Sequence, residues 1–188
     1  AQQGYSAGFI SLEKNPEIDI AMGLWYPSFE SESRRKWGPF QPTFAWDANP
    51  ASGQFPVIIL SHGVTGRYRN HRDTAATLAR AGSVVIAPQH TQDIWVGTSK
   101  TVAAMEYRVG EIIEALDIAK SHKVVGPIMD IDNIGSIGYS LGSMTVLKAY
   151  GVLPSSSHYK LHCDSNHAED PNFCTVIPWW QKILLWFK

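Results

Sequence analysis

The sequence predicts an α/β fold, a three-layer α/β/α sandwich with a mostly parallel sheet, because apolar strand-like runs alternate with helical periods. Crossovers between parallel strands are right-handed and place helices on both faces of the sheet. We expect residues 1–188 to form a single domain. The predicted strands are 56–60, 83–87 and 133–137, and the predicted helices are 70–80, 102–121 and 141–152.

Each of these elements has a local signal. Residues 56–60 (PVIIL) and 83–87 (SVVIA) are continuous apolar runs, which are typical of strands buried on both faces. The helix at 70–80 stops just before Gly82, and glycine commonly follows a helix end. The segment 102–121 has the 3.6-residue period of an amphipathic helix.

The first third of the chain is predicted to contribute a hairpin and a long loop. Residues 19–26 (DIAMGLWY) predict a strand that stops at Pro27, with 8–12 as its hairpin partner. Residues 28–54 are polar and rich in Ser, Pro, Gly and aromatics, without a helical or strand period. We therefore expect them to form a long surface excursion.

The composition excludes two classes of partner. The net charge is −1 and the basic residues are scattered, so the sequence predicts no nucleic-acid partner. No stretch approaches the ~20 apolar residues of a membrane span, so none is expected. Hydrophobic residues make up 44% of the chain and charged residues 18%, which is typical of a globular protein with a sizeable core.

The chain opens with Ala1 and contains two cysteines, Cys163 and Cys174. A start without Met fits either a mature end after signal-peptide removal or an edited sequence. Two neighbouring cysteines fit one disulfide in an exported protein, closing a loop of about 12 residues, or else two unpaired thiols. We expect a periplasmic or secreted protein with the disulfide formed.

A G-x-S-x-G motif spans Gly138 to Gly142 and lies between a predicted strand and a predicted helix. In this context the motif predicts a nucleophile elbow, a sharp turn that exposes the Oγ of Ser140. Glycine is needed at both Gly138 and Gly142 because side chains there would collide with neighbouring backbone. The alternatives are a glycine-rich turn without chemistry and a dinucleotide site, but the spacing is not G-x-G-x-x-G.

A second motif, Ser61-His62-Gly63-Val64, follows the first buried strand. The end of that strand is expected to face the elbow, so backbone N–H groups from both places converge. We predict that the N–H groups of Val64 and Leu141 form an oxyanion hole. The sequence favours a packed loop histidine over a general base at His62, because it precedes the nucleophile at a strand end.

These motifs resemble those of the dienelactone-hydrolase-like α/β-hydrolases, a group related to the platelet-activating-factor acetylhydrolases. The similar segments are LWYP, PVIILSHGVTG, NHRDTAATLARAGSVVIAPQH, GYSLGS and HCDSNHAEDPNFC. The resemblance implies hydrolysis of a small, short-acyl ester by a Ser-Asp-His triad, with no metal or organic cofactor. It carries over Ser140 as nucleophile and Val64 and Leu141 as oxyanion-hole residues.

The chain departs from this group after the elbow. The triad acid and histidine follow the nucleophile in α/β-hydrolases, yet only 46 residues follow Gly142 here. We therefore expect a fold that lacks its C-terminal part. His167 is the candidate base and Asp164 the candidate acid, with Asp170 as an alternative acid. The same polar segment leaves open a zinc site of His and Cys ligands and a disulfide-stapled loop with surface histidines.

The last twelve residues, 177–188, place bulky apolar side chains on one helical stripe. Such a stripe must pack on the sheet, pair with another chain or touch lipid, and the sequence favours core packing or homo-oligomerisation. The predicted function is therefore serine-dependent hydrolysis of carboxylic esters. The alternative is a weak or inactive hydrolase fragment that acts as a binding or self-assembling module.

Overall fold

A computed structural model describes residues 4–16, 18–91, 101–152 and 164–165, of which 101–106 are described by their backbone. The strands within these residues are β1 (Ser6–Leu12), β2 (Met22–Ser28), β3 (Ser33–Arg34), β4 (Thr43–Trp46), β5 (Phe55–Ser61), β6 (Val84–Pro88) and β7 (Met129–Gly138). The helices are α1 (Arg72–Arg80), α2 (Thr101–Ser121) and α3 (Leu141–Ala149), and a short 3-10 turn (Gly126–Ile128) precedes β7.

The strands described here form one mixed sheet in the order β3-β4-β1-β2-β6-β5-β7. Its β6-β5-β7 part is parallel, as expected for strands joined through helices. The predicted hairpin is confirmed: β1 and β2 are antiparallel, with Ser6 opposite Ser28 and Leu12 opposite Met22. Strand β7 lies at the end of this order, and many of its residues are exposed.

Helices cover both faces of the sheet, which confirms the three-layer α/β/α class. On one face α2 packs its buried Ile112, Ala115 and Ala119 against β2, β5 and β6. On the other face α1 packs its buried alanines against a cluster rich in aromatic rings. Strands β2 and β6 are buried along their whole length because both faces are covered, which explains the continuous apolar run of β6.

The expectation of a structureless surface excursion at 28–54 is wrong. This segment contains β3 and β4, and β4 extends the sheet by pairing in parallel with β1. Phe44 and Trp37 turn inward and join Phe9 and Trp25 in the aromatic cluster. The pairing of β4 covers so few residues that alternation is not detectable in the sequence, and the aromatic contacts supply the burial instead.

Several predictions concern residues outside the described ranges. They include His167, the Cys163–Cys174 disulfide, the histidines proposed as zinc ligands, and the apolar stripe at 177–188. Among the described residues, no helix is both long and apolar enough to cross a membrane.

The aromatic cluster provides a test of the corrected loop. Phe44 is 1% exposed, so Phe44→Ala should lower the free energy of unfolding by about 3–5 kcal/mol, the usual cost of a cavity of this size. The matched control is Phe29→Ala, where the ring is 60% exposed and the loss should stay within about 0.5 kcal/mol. Urea denaturation of both variants and of the wild type measures these free energies of unfolding. Equal losses would mean that 28–54 does not pack as described.

Candidate active site

Ser140 lies at the sharp turn between β7 and α3, where the G-x-S-x-G motif predicted an elbow. Its backbone has φ 53° and ψ −122°, a conformation that an L-residue rarely adopts. The residue is exposed, and Leu141 begins the helix directly after it. The strained turn thus presents the Ser140 hydroxyl beside a helix N-terminus, where N–H groups lack intrahelical partners.

The two glycines of the motif are required by close backbone contacts. A Cβ at Gly138 would lie 2.3 Å from the carbonyl oxygen of Gly142. A Cβ at Gly142 would lie 2.1 Å from the carbonyl oxygen of Ser61, at the end of β5. Only a residue without a side chain fits at either place, so the tight approach of the elbow to β5 depends on both glycines.

The loop after β5 lies directly against the elbow. Ser61 and Gly138 are paired in the parallel ladder, and the Tyr139 N–H donates to the Ser61 carbonyl at 3.1 Å. A Cβ at Gly63 would lie 3.3 Å from the Ser140 Cβ. The structure therefore brings the SHGV motif next to the serine, as the shared carboxyl edge of parallel strands requires.

Val64 occupies the second position of a turn that this loop makes. The Gly66 N–H donates to the Gly63 carbonyl at 3.1 Å, and Thr65 has φ 56° at the third position. A left-handed third residue is the feature of a type II turn. Val64 itself is 37% exposed, so this backbone segment lies at the surface beside the elbow.

His62 is buried and neutral, and both of its ring nitrogens are occupied. The His90 N–H donates to Nε2 at 3.1 Å, so Nδ1 carries the proton and donates to the Gly63 carbonyl at 2.7 Å. Burial, and then the neighbouring His90, lower the pKa of His62 to about 3. These contacts agree with the prediction of a packed loop histidine rather than a base.

His90 forms a second buried chain of hydrogen bonds behind the loop. Its Nε2 lies 2.9 Å from the Ser61 Oγ, and its Nδ1 lies 2.8 Å from an Oε2 of Glu111 on α2. Thr91 donates to the same carboxylate through its N–H and its hydroxyl. Burial by itself would raise the pKa of Glu111, but the hydrogen bonds from His90 and Thr91 hold it below its ordinary value.

Arg108 and Glu111 are site residues that the sequence reading missed. Both lie on the buried stripe of α2, where their three-residue spacing puts them on one face. The Arg108 guanidinium donates to the carbonyls of His62 at 2.7 Å and Gly63 at 3.1 Å. The available signal was two charged residues in register with the apolar positions Ile112, Ala115 and Ala119.

The predicted site residues are partly assembled. Ser140, Leu141, Val64 and the elbow glycines meet at the edge shared by β5 and β7. Asp164 is helical and exposed, and its pairing with His167 remains a prediction. Within the described part of the chain, no group of three or more His, Cys, Asp or Glu side chains is arranged to hold a metal ion.

The fold is shared with solved hydrolase structures. The chain is similar to a ferulic acid esterase from Streptomyces cinnamoneus, at 17% identity over 80% of this chain and 56% of that one, with a TM-score of 0.64. It is also similar to the S-formylglutathione hydrolase FrmB from Staphylococcus aureus, at 15% identity over 78% and 53% of the two chains, with a TM-score of 0.50. No protein-family model and no curated protein matches the sequence.

These similarities establish that the chain has an α/β-hydrolase fold. At such low identity they show the fold alone, and the dienelactone-hydrolase-like group remains a prediction from the motifs. The chain spans about half the length of the solved structures it matches.

The elbow geometry gives a stability prediction. Gly142→Ala should lower the free energy of unfolding by about 1–3 kcal/mol, the cost of forcing an atom into a packed site, because its Cβ meets the Ser61 carbonyl. Gly110→Ala is the matched control: nothing lies within 4 Å of the added Cβ inside α2, and helix propensity predicts a gain of up to about 1 kcal/mol. Chemical denaturation distinguishes the two, and a stable Gly142→Ala variant would contradict the described approach.

Proposed function

We propose that this chain is a serine hydrolase that cleaves carboxylic esters, with short acyl groups preferred, through an acyl-enzyme on Ser140. The observation that carries the proposal is the strained, exposed Ser140 at a strand-to-helix turn, with the Gly63–Val64 segment against it. The fold adds support, because one structural neighbour is named an esterase and the other a hydrolase.

The reaction follows from this geometry. The Ser140 Oγ attacks the ester carbonyl carbon, and the electron pair of the C=O bond moves onto its oxygen. The N–H groups of Leu141 and Val64 stabilise that negative charge. Collapse of the intermediate expels the alcohol and leaves an acylated Ser140, and water then releases the acid. Both steps need a group that accepts and returns a proton.

The two histidines that follow β5 and β6 do not supply that base. Both ring nitrogens of His62 and of His90 are hydrogen-bonded inside the fold. His167 with Asp164 stays the candidate because it follows the chain order Ser, Asp, His that the fold uses. Without a base near the Ser140 Oγ, the elbow and oxyanion donors alone would give a weak esterase. Sites that lack a triad member still accelerate the reaction about 10³–10⁴-fold over water.

Covalent labelling tests the nucleophile. The wild-type chain should react with a fluorophosphonate probe, and Ser140→Ala should lose the label and the turnover of p-nitrophenyl acetate, because the hydroxyl at the strained turn beside the helix N-terminus is gone. Ser136→Ala, on β7 two residues before the motif, is the matched control and should retain both. Mass spectrometry of the labelled peptide locates the adduct. An unlabelled wild-type chain would favour the alternative of a non-catalytic binding module.

The oxyanion hole has its own test. Val64→Pro removes the backbone N–H and should keep the turn, since proline suits the second position of a type II turn. Its kcat for p-nitrophenyl acetate should fall about 10²–10³-fold, the usual effect of deleting one oxyanion donor. Val64→Ala keeps the N–H and should stay within about threefold of the wild type. Equal kcat values for the two variants would remove Val64 from the oxyanion hole.

A further inference from the structure

Arg108 contacts the backbone of the loop that follows β5. Its side chain is completely buried, and it extends from α2 to two successive carbonyl groups, those of His62 and Gly63. A guanidinium presents its donors in a rigid planar fork, so two carbonyls held by one fork are fixed relative to each other. The contact therefore restrains the direction of two peptide planes.

The Gly63 carbonyl receives more than this one donor. The Nδ1–H of His62 and the N–H of Gly66 also donate to it, at 2.7 Å and 3.1 Å. A peptide group is planar, with its carbonyl and N–H pointing in opposite directions. Three donors that fix the Gly63 oxygen consequently fix the direction of the Val64 N–H on the other side of the same plane.

We propose that Arg108 is a positioning residue for ester hydrolysis, which aims the Val64 N–H at the oxyanion by holding the carbonyls of His62 and Gly63. The inference rests on the proposed function, because it assigns to Arg108 a role in the same oxyanion hole. Arg108 does not touch the reacting atoms. It acts through the Gly63–Val64 peptide, which lies against Ser140.

Packing alone is a poor explanation for a guanidinium at this place. Burying a charged group is unfavourable unless hydrogen bonds compensate for the lost water, and an apolar side chain would fill the same space at less cost. What an apolar side chain cannot do is hold two carbonyls in fixed directions. Glu111, one turn along α2, anchors the neighbouring β6 loop through His90 and Thr91, so one helix face restrains both loops behind the site.

A double-mutant cycle between Arg108 and Val64 tests the proposal. Arg108→Met keeps the length of the side chain and removes its donors, so kcat for p-nitrophenyl acetate should fall at least tenfold, with KM changed less than twofold. In the Val64→Pro background there is no N–H to aim, so Arg108→Met should change kcat less than twofold. Arg108→Lys, which keeps one charged donor, should give an intermediate kcat.

The controls separate this role from a structural one. Arg72→Met removes an arginine that stacks on Phe40 at the start of α1, and it should leave kcat unchanged. If Arg108→Met does not fold, Arg108→Lys and Arg108→Gln enter the same cycle. The inference would be overturned if Arg108→Met lowered kcat equally in the wild-type and Val64→Pro backgrounds. A wild-type kcat in Arg108→Met would also overturn it. A wild-type kcat in Val64→Pro would instead overturn the oxyanion hole of the proposed function.

Discussion

The contact between the backbone of the elbow and the end of β5 is the constraint on which the site depends. Gly142 approaches the Ser61 carbonyl so closely that an added Cβ would lie 2.1 Å from it. That approach is possible because β5 and β7 are parallel neighbours whose carboxyl ends coincide. It forces the sharp turn at Ser140 and brings the loop after β5 within van der Waals distance of the serine. A sheet with another strand order would separate the two motifs.

The buried charged and polar groups next to this contact keep the histidine of the loop after β5 in one protonation state. The buried His62 is neutral at ordinary pH, because desolvation lowers its pKa to about 3. It can therefore accept from the His90 N–H and donate to the Gly63 carbonyl at the same time. The ionised Glu111 and the cationic Arg108 hold the two loops from α2. The hydrogen bonds of this network restrain the loop after β5 from several sides, which favours a single loop conformation.

Much of this fold is visible in the sequence, and the exceptions share a cause. The apolar runs of β5 and β6 and the period of α2 predict the elements to within a few residues. The prediction for the segment 28–54 is wrong because β4 is short and is buried by aromatic rings from elsewhere in the chain. The role of Arg108 was not predicted for a related reason. Its hydrogen-bond partners lie about 45 residues away in the sequence, and no neighbouring residue indicates them.

The sequence by itself determined the α/β class, the order of the elements and the elbow, because hydrophobic period and turn chemistry act over a few residues. Only the tertiary structure decided which groups bind the ring nitrogens of His62, that the segment 28–54 adds strands to the sheet, and that Arg108 holds the loop carbonyls. These features depend on which strands become neighbours and on which polar groups lose water together. Both are settled by contacts between distant segments, so no local pattern encodes them.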